Sequence, residues 1–535
     1  MNGTEIFLIL LLAISVVAYL AQRVGMAQPI AFVLAGMALA IIPEFPKFEI
    51  PPETLLLLFL PPLLSEAAYF TSIRDFMANR RIIMQMAVGL VLASCVGVAY
   101  TLHWMMPEIS LAVCFVLGAI ISPPDAVAAI SVTKKITLPK RLSVLLEGES
   151  LINDVTGLVL YKFAVAAVVT GSFSMMDASL HFVWMSISGM LIGAAMGWCY
   201  TRIFPLISEM SVEILSSFLI AYASYLLAES LHSSGVLAVV ASSVVVSWHA
   251  PIMFPPAFRI PAQAVWRMVT FVLNGLVFLL IGLYSPGILH GLSAYNLHDI
   301  LMLAMAVPLV VIAIRFAWIY TFAYGWRWLF PSIRAKDPYP AWQNVFVIAW
   351  TGMRGVVSLA TALALPLSLA DGWTSFPHRD LVIFLAFDVI IFTLILQGLS
   401  LPWIIRRLSL TYDFSVLQEQ WMARKEAAET AIQRLDSLRE DPTIQSAALE
   451  RIVSHYRDRI ESLGDGPNTP LSRNEPPTSE NHPIIQTENR IWKDVLSAER
   501  EAVVCLRQTF KISDDVMHEI LRDIDLLHNR FANIT

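Results

Sequence analysis

The sequence predicts an all-α polytopic membrane protein. About 13 transmembrane helices form two inverted six-helix repeats, each with a broken helix, and a helical cytoplasmic C-terminal domain follows. Three observations carry this. Of 535 residues, 57% are hydrophobic and 15% charged, where soluble domains carry about 25% charge. The apolar residues fall into segments near spanning length, with basic residues concentrated in alternate loops. Two segments in corresponding places are interrupted by helix-breaking residues.

The segments run over about 5–22, 27–42, 52–69, 82–104, 110–131, 142–170, 178–204, 213–231, 233–249, 265–286, 300–328, 343–367 and 380–407. Short and long members fit tilted or broken helices. The first apolar run, Ile6 to Leu20, follows Glu5 rather than a basic residue, which favours a retained span over a cleaved signal peptide. With the N-terminus outside, the inside loops hold 16 Lys and Arg, from Arg23 to Arg407, and the outside loops hold only Lys47 and Arg379. That bias places the C-terminal tail in the cytoplasm. An odd number of segments then reads as two six-helix halves around a linker helix, the second half inverted.

The third segment contains Leu60-Pro61-Pro62-Leu63-Leu64-Ser65-Glu66. Glu66 is a candidate intramembrane carboxylate, or an interfacial one near the segment end. The fifth contains Ile121-Ser122-Pro123-Pro124-Asp125. Adjacent prolines release backbone carbonyls, which survive in lipid only against protein or a cavity. The plain alternative is a kinked packing helix, but an acid directly after the prolines favours a site.

The sixth segment carries Gly148-Glu149-Ser150-Leu151-Ile152-Asn153-Asp154. Ser150, Asn153 and Asp154 share one helix face about one turn apart. An Asp at mid-membrane costs roughly 2.5–3.5 kcal/mol on insertion scales. A hydroxyl, an amide and a carboxylate converging in low dielectric point to a small hard cation or a proton. Lys162, about two turns on, either ion-pairs in the core or snorkels toward water, the second being favoured. Glu229 and His232, between segments eight and nine, read as interfacial.

The twelfth segment contains Thr351-Gly352-Met353-Arg354-Gly355, two glycines flanking a buried Arg. Arg354 needs an interior partner, and Glu149 is the expected one, with Glu147 the other nearby acid. Asp388, in the thirteenth segment, is read equally as a cavity carboxylate or a packing residue. Arg315 falls within a segment and receives no assignment.

Residues 1–410 form the transmembrane part, with 21 Lys and Arg against 20 Asp and Glu. Residues 411–535 hold 15 against 22, so the tail carries the acidity. A helix is expected over roughly 414–463, a linker over 464–482, and helices over 486–510 and 513–531, the last with a capping signal in Ser513-Asp514-Asp515. The tail shows no catalytic or nucleotide-binding pattern. Cys95, Cys114, Cys199 and Cys505 form no CxxC pair, so neither a disulfide framework nor a metal site is indicated.

Together these residues resemble the bacterial sodium/proton antiporters of the monovalent cation:proton antiporter superfamily, in the electroneutral branch related to eukaryotic sodium/hydrogen exchangers. The resemblance covers about residues 5–407. It rests, in order, on Phe59–Leu64, Gly118–Ala128, Glu147–Asp154, Ser230–Ala238, Asn274–Gly282 and Gly352–Gly355. It implies that Asp154 alternately binds proton and cation. Asn153 stands where the electrogenic branch has a second Asp, and Asp125 lies at the crossing of the broken helices. Ser150, Glu66 and the Pro124 carbonyl match Na⁺ ligands beside Asp154, and Glu149 with Arg354 matches a structural ion pair. Many relatives have Thr where Pro124 stands; Pro keeps the carbonyl and loses the hydroxyl.

The implied protein is a secondary transporter, not an enzyme. It exchanges Na⁺, and also Li⁺, for H⁺ without a cofactor, one for one because Asn153 is neutral. It would sit as a homodimer in the inner membrane and bind no nucleic acid. The competing readings are a K⁺/H⁺ antiporter or a Na⁺-coupled solute transporter, whose motifs do not encode ion size. An intramembrane aspartyl protease would need a Gly-Asp context that is absent, and a tail-signalling sensor would need a tail motif that is absent.

Overall fold

The computed structural model describes residues 3–42, 52–125, 129, 138–171, 175–207, 209–292, 295–336, 339–369, 374–408, 414–440, 444, 446–464 and 482–532. Among them the regular structure is helical apart from one isolated bridge between Ser368 and Ser375. The chain opens with α1 (Gly3–Val24), α2 (Gln28–Ala40) and α3 (Pro52–Phe70). Next, α4 (Ile73–Met84) runs through a π-helical stretch, Gln85–Leu90, into α5 (Val91–Met105). Then come α6 (Leu111–Ile121), α7 (Lys140–Thr170), α8 (Met175–Ile203), α9 (Met210–Ser230), α10 (Gly235–Met253) and α11 (Pro256–Gly291). Helix α12 (Leu297–Tyr320) passes through a second π-helical stretch, Thr321–Gly325, into α13 (Trp326–Leu329), and α14 (Pro331–Lys336) follows. The membrane part ends with α15 (Trp342–Trp350), α16 (Val356–Leu363) and α17 (Arg379–Leu408).

Among the described residues, eight helices are long and apolar enough to cross a membrane. Four shorter apolar helices, within α2, α3, α6 and α10, stand among them. Large apolar side chains such as Phe7, Leu12, Trp184, Leu191, Leu215 and Leu301 face outward. That would be costly in water and suits lipid.

The helices pack as two bundles. In one, α2 runs along α11 and α8 along α10, with α1, α3 and α9 completing the group. In the other, α5 packs on α6, α6 on α7, α12 on α5, α15 and α17, and α16 on α17. The bundles touch where α3 meets α16 and α11 meets α16 and α17. The first bundle closes on small residues. Gly189, Gly193 and Gly197 recur every fourth residue along α8, opposite Ser234, Ala238 and Ser242. A Cβ at Gly189 would lie 2.6 Å from the Ser234 carbonyl oxygen, and one at Gly197 2.7 Å from that of Ser242. Such a seam lets two backbones touch where lipid provides no hydrophobic drive.

The tail folds on a separate apolar core that includes Ala427, Ala431, Tyr456, Trp492, Val495 and Ile520. The helix expected over 414–463 divides. Helix α18 (Phe414–Ser437) ends in a short 3₁₀ turn, and α19 (Ser446–Leu463) starts afresh. Pro442 between them cannot continue a helix. Helices α20 (His482–Gln508) and α21 (Asp514–Ala532) complete the tail, and most of the expected linker, 465–481, lies outside the described residues.

The tail rests against the basic end of both bundles. Asp525 of α21 meets Arg259 of α11 at 2.7 Å and Arg500 of α20 at 2.9 Å. The Arg507 guanidinium lies 4.0 Å from the Trp248 ring centre on α10 and donates to the Trp248 carbonyl. On the other bundle, Glu419 of α18 meets Arg74 at 3.4 Å and Lys140 at 3.7 Å. The tail thus holds residues of both bundles by charge.

Candidate site at the crossing of two broken helices

Both expected interruptions are present. Helix α6 stops at Ile121, and Ser122-Pro123-Pro124-Asp125 continue without regular helix. Thr351–Gly355 separate α15 from α16 in the same way. Residues 126–128 and 130–137, which include most of the end of the fifth segment expected to run to about 131, lie outside the described residues.

The two breaks complete each other. The Asp125 N–H donates to the Met353 carbonyl at 2.7 Å, and the Asp125 carboxylate accepts the Val356 N–H at 3.3 Å. Asp125 therefore puts negative charge at the N-terminus of α16. Arg354 does the converse. Its guanidinium donates to the carbonyls of Ile121 at 2.8 Å and Ser122 at 3.2 Å, at the C-terminus of α6, and to Gly352. Each placement opposes the helix dipole it meets and satisfies backbone groups that the break frees. Gly355 is required here, because a Cβ would run into the Asp125 carboxylate.

Helix α7 lies against this crossing. At Gly157 a Cβ would come within 2.8 Å of the Pro123 ring. The buried Asn153 amide donates to the Pro124 carbonyl at 2.8 Å. This occupies one of the two lone pairs of an oxygen expected to face Na⁺, leaving the other. The Asn153 amide oxygen is buried without a partner among the described residues. Asp154, the next residue, makes no hydrogen bond or ion pair among them, and its carboxylate lies within electrostatic reach of Asp125. Asp125, Pro124, Asn153 and Asp154 thus converge, with Ser150 one turn away on the same helix.

The expected Glu149–Arg354 pair is not formed. Glu149 instead takes Arg315 of α12 in a two-pronged bond, Nη1 to Oε1 at 2.5 Å and Nη2 to Oε2 at 2.9 Å. The reason is geometric. Arg354 is drawn to the carbonyls at the end of α6, which only a nearby donor can satisfy. Arg315, which reaches in from α12, also donates to the Ile348 carbonyl at 3.2 Å and 3.1 Å. Its position in an unbroken apolar segment was the available signal, since a buried Arg always demands a partner.

Glu66 lines a cavity of about 70 Å³ with Ser65, Ser243, Arg259 and Gln263, whose walls include none of Ser150, Asn153, Asp154 or Asp125. Lys162 forms the ion pair that was its alternative, meeting Glu229 at 2.8 Å, and Glu229 also accepts the Gly235 N–H. That pair ties α7 of one bundle to α9 of the other. Asp388, Gln397 and Ser358, on α16 and α17, each carry a buried oxygen without a partner among the described residues. Sequence reading passed over Gln397 and Ser358, because uncharged side chains leave little trace in an apolar run. No group of three or more His, Cys, Asp or Glu suited to a metal ion occurs among the described residues.

Comparison with known proteins gives a consistent picture. The family model described as sodium/hydrogen exchanger, transmembrane, matches residues 5–407. The "Uncharacterized Na(+)/H(+) exchanger YjcE" of Escherichia coli is 33% identical, over 98% of both chains. A "Sodium, potassium, lithium and rubidium/H(+) antiporter" of Bacillus subtilis is 30% identical, over 98% of this chain and 78% of its own. Among solved structures, the sodium proton antiporter MjNhaP1 of Methanocaldococcus jannaschii aligns with a TM-score of 0.55 at 17% identity, over 76% of this chain and 99% of its own.

Proposed function

This chain belongs to the transmembrane sodium/hydrogen exchanger family, a family of transporters rather than enzymes, and from that premise we propose that it exchanges Na⁺, and also Li⁺, for H⁺ at Asp154, one for one. The single observation that carries this reading is the contrast between neighbours on α7. Asn153 is tied to the broken helix, while Asp154 has no hydrogen bond or ion pair among the described residues. One free carboxylate that takes either a proton or a cation yields exchange without a separate coupling device. The neutral Asn153 leaves one titrating group per cycle.

On this reading Na⁺ is held by Asp154, Ser150, Glu66 and the second lone pair of the Pro124 carbonyl, and Asp125 braces the crossing. Access alternates as the bundle of α4–α7, α12 and α15–α17 rocks against the other, the halves being inverted repeats. The protein works as a homodimer in the inner membrane, with the N-terminus outside and the tail in the cytoplasm. Because the tail grips Arg259 on one bundle and Arg74 and Lys140 on the other, its docking restrains the rocking. A K⁺/H⁺ exchanger is the alternative, favoured by the wider ion range in the name of the B. subtilis relative.

The test is proton release on adding Na⁺, Li⁺ or K⁺ to liposomes holding the full chain. Asp154→Asn is expected to abolish release for every ion, and a membrane potential set with valinomycin is expected to leave wild-type exchange unchanged. Near wild-type exchange in Asp154→Asn would refute the site. Strong acceleration by the potential would refute the one-for-one ratio.

A further inference from the structure

A second cavity, of about 810 Å³, opens at the basic end of the rocking bundle, between α4, α7, α12, α13 and α15. We propose that it binds the phosphate of an anionic phospholipid headgroup. Three arginines from three elements line it: Arg81 of α4, Arg141 in the first turn of α7, and Arg327 of α13, whose Nη1 also donates to the Ala323 carbonyl at 2.6 Å. Among its described lining residues none is acidic, and Asn79, Gln85 and Asn344 add neutral amides. Guanidinium groups match phosphate oxygens in paired hydrogen bonds, and basic pockets between helices on the cytoplasmic side suit lipid headgroups.

The rest of the wall argues for a lipid rather than a free anion. Trp318, Phe322 and Trp326 form an aromatic face, and Trp is at home at headgroup depth. Arg81 sits over the Trp326 ring at 5.8 Å, and the Trp318 indole donates to the Gln85 carbonyl at 3.1 Å. Both π-helical stretches of the membrane part border the cavity, through Gln85 and Met86 on one side and Phe322 and Ala323 on the other. Such widened turns are frequent at functional positions. The volume lies in the range of drug-sized ligand sites and far exceeds one phosphate ion.

The cavity also touches the exchange machinery. Ile348 is part of its wall, and the Ile348 carbonyl holds Arg315, the partner of Glu149. An occupant therefore braces the bundle that carries Asp154.

The experiment uses full-length protein, purified from neutral-lipid vesicles or from vesicles containing phosphatidylglycerol, with bound lipid counted by native mass spectrometry. Phosphatidylglycerol is expected to be retained over phosphatidylcholine. Retention should fall about tenfold for each of Arg81→Gln and Arg141→Gln, with an unchanged melting temperature. Arg202→Gln, a basic change on the other bundle, should leave it intact. Added inorganic phosphate should not displace the lipid. Retention indifferent to both cavity substitutions, or equal retention of the neutral lipid, would overturn the proposal. Displacement by phosphate, with no preference among lipids, would overturn the lipid source in favour of a soluble phosphate anion.

Discussion

The two bundles are held together by different physics. The bundle of α8 and α10 closes backbone to backbone along Gly189, Gly193 and Gly197, with nothing charged in the seam. The bundle that carries Asp154 is interrupted twice, and its breaks are closed by Asp125, Arg354 and the Glu149–Arg315 pair. The first design tolerates no added volume. The second tolerates no lost charge, because removing one partner strands the other in low dielectric. The difference supports the proposed division into a frame and a carrier: close packing fixes one geometry, while buried charge fixes a short segment that can then line a polar site.

The sharpest way to break this comparison is to remove a charge. Arg315→Ala should cost about 3–5 kcal/mol by stranding Glu149, read as a fall in melting temperature in detergent. Arg315→Met with Glu149→Met should recover much of that loss. If the double variant is as unstable as the single one, the charge is not what holds the carrier. The frame is tested next. Gly193→Leu should cost about 1–3 kcal/mol through overpacking against Ala238, whereas a substitution that keeps full thermal stability would show that the seam is not in close contact.

The tail contact gives the smallest effect. Asp525→Ala removes the anion from Arg259, and is expected to expose α21 to protease and to speed exchange severalfold. The same contact has a pH sign. His518 lies against the Tyr69 and Phe70 rings, with ring centres 6.5 Å and 6.3 Å away. Burial holds its pKa below the ordinary value; Asp514 opposes this, while Arg259 and Arg507 add to it. The docked imidazole thus binds fewer protons than a free one. Docking is strongest above the ordinary value of about 6.5 and weakens as pH falls through it toward the lowered value. Amide protection along α21, taken relative to the intrinsic exchange rate at each pH, should fall on acidification, and His518→Gln should flatten that fall. Protection that rises on acidification would reverse the sign.

What could be read from the sequence follows from which residues act on their own backbone. The Pro123-Pro124 and Gly352–Gly355 breaks were legible, because Pro and Gly change local conformation whatever surrounds them. The face shared by Ser150, Asn153 and Asp154 was legible from helical spacing. Partnerships between segments were not. Arg315 and Arg354 are equally buried arginines on a linear reading, and only the approach of α12 to α7 decides which one meets Glu149. The Lys162–Glu229 pair and the division of the tail near Pro442 show the same limit from two sides, a contact invisible at long range and a breaker outweighed by periodicity.

The mutual capping at the crossing has a consequence for how the transporter moves. Arg354 of one break ends the helix of the other, and Asp125 begins the helix of its counterpart. Neither half-helix can shift alone without exposing a charge and several carbonyls at once. In the proposed rocking the crossing therefore travels as one stiff joint, and Asp125, Pro124, Asn153 and Asp154 move together with the ion. Glu66 of α3 stays with the other bundle, so of the proposed ligands it alone is left behind when the joint moves.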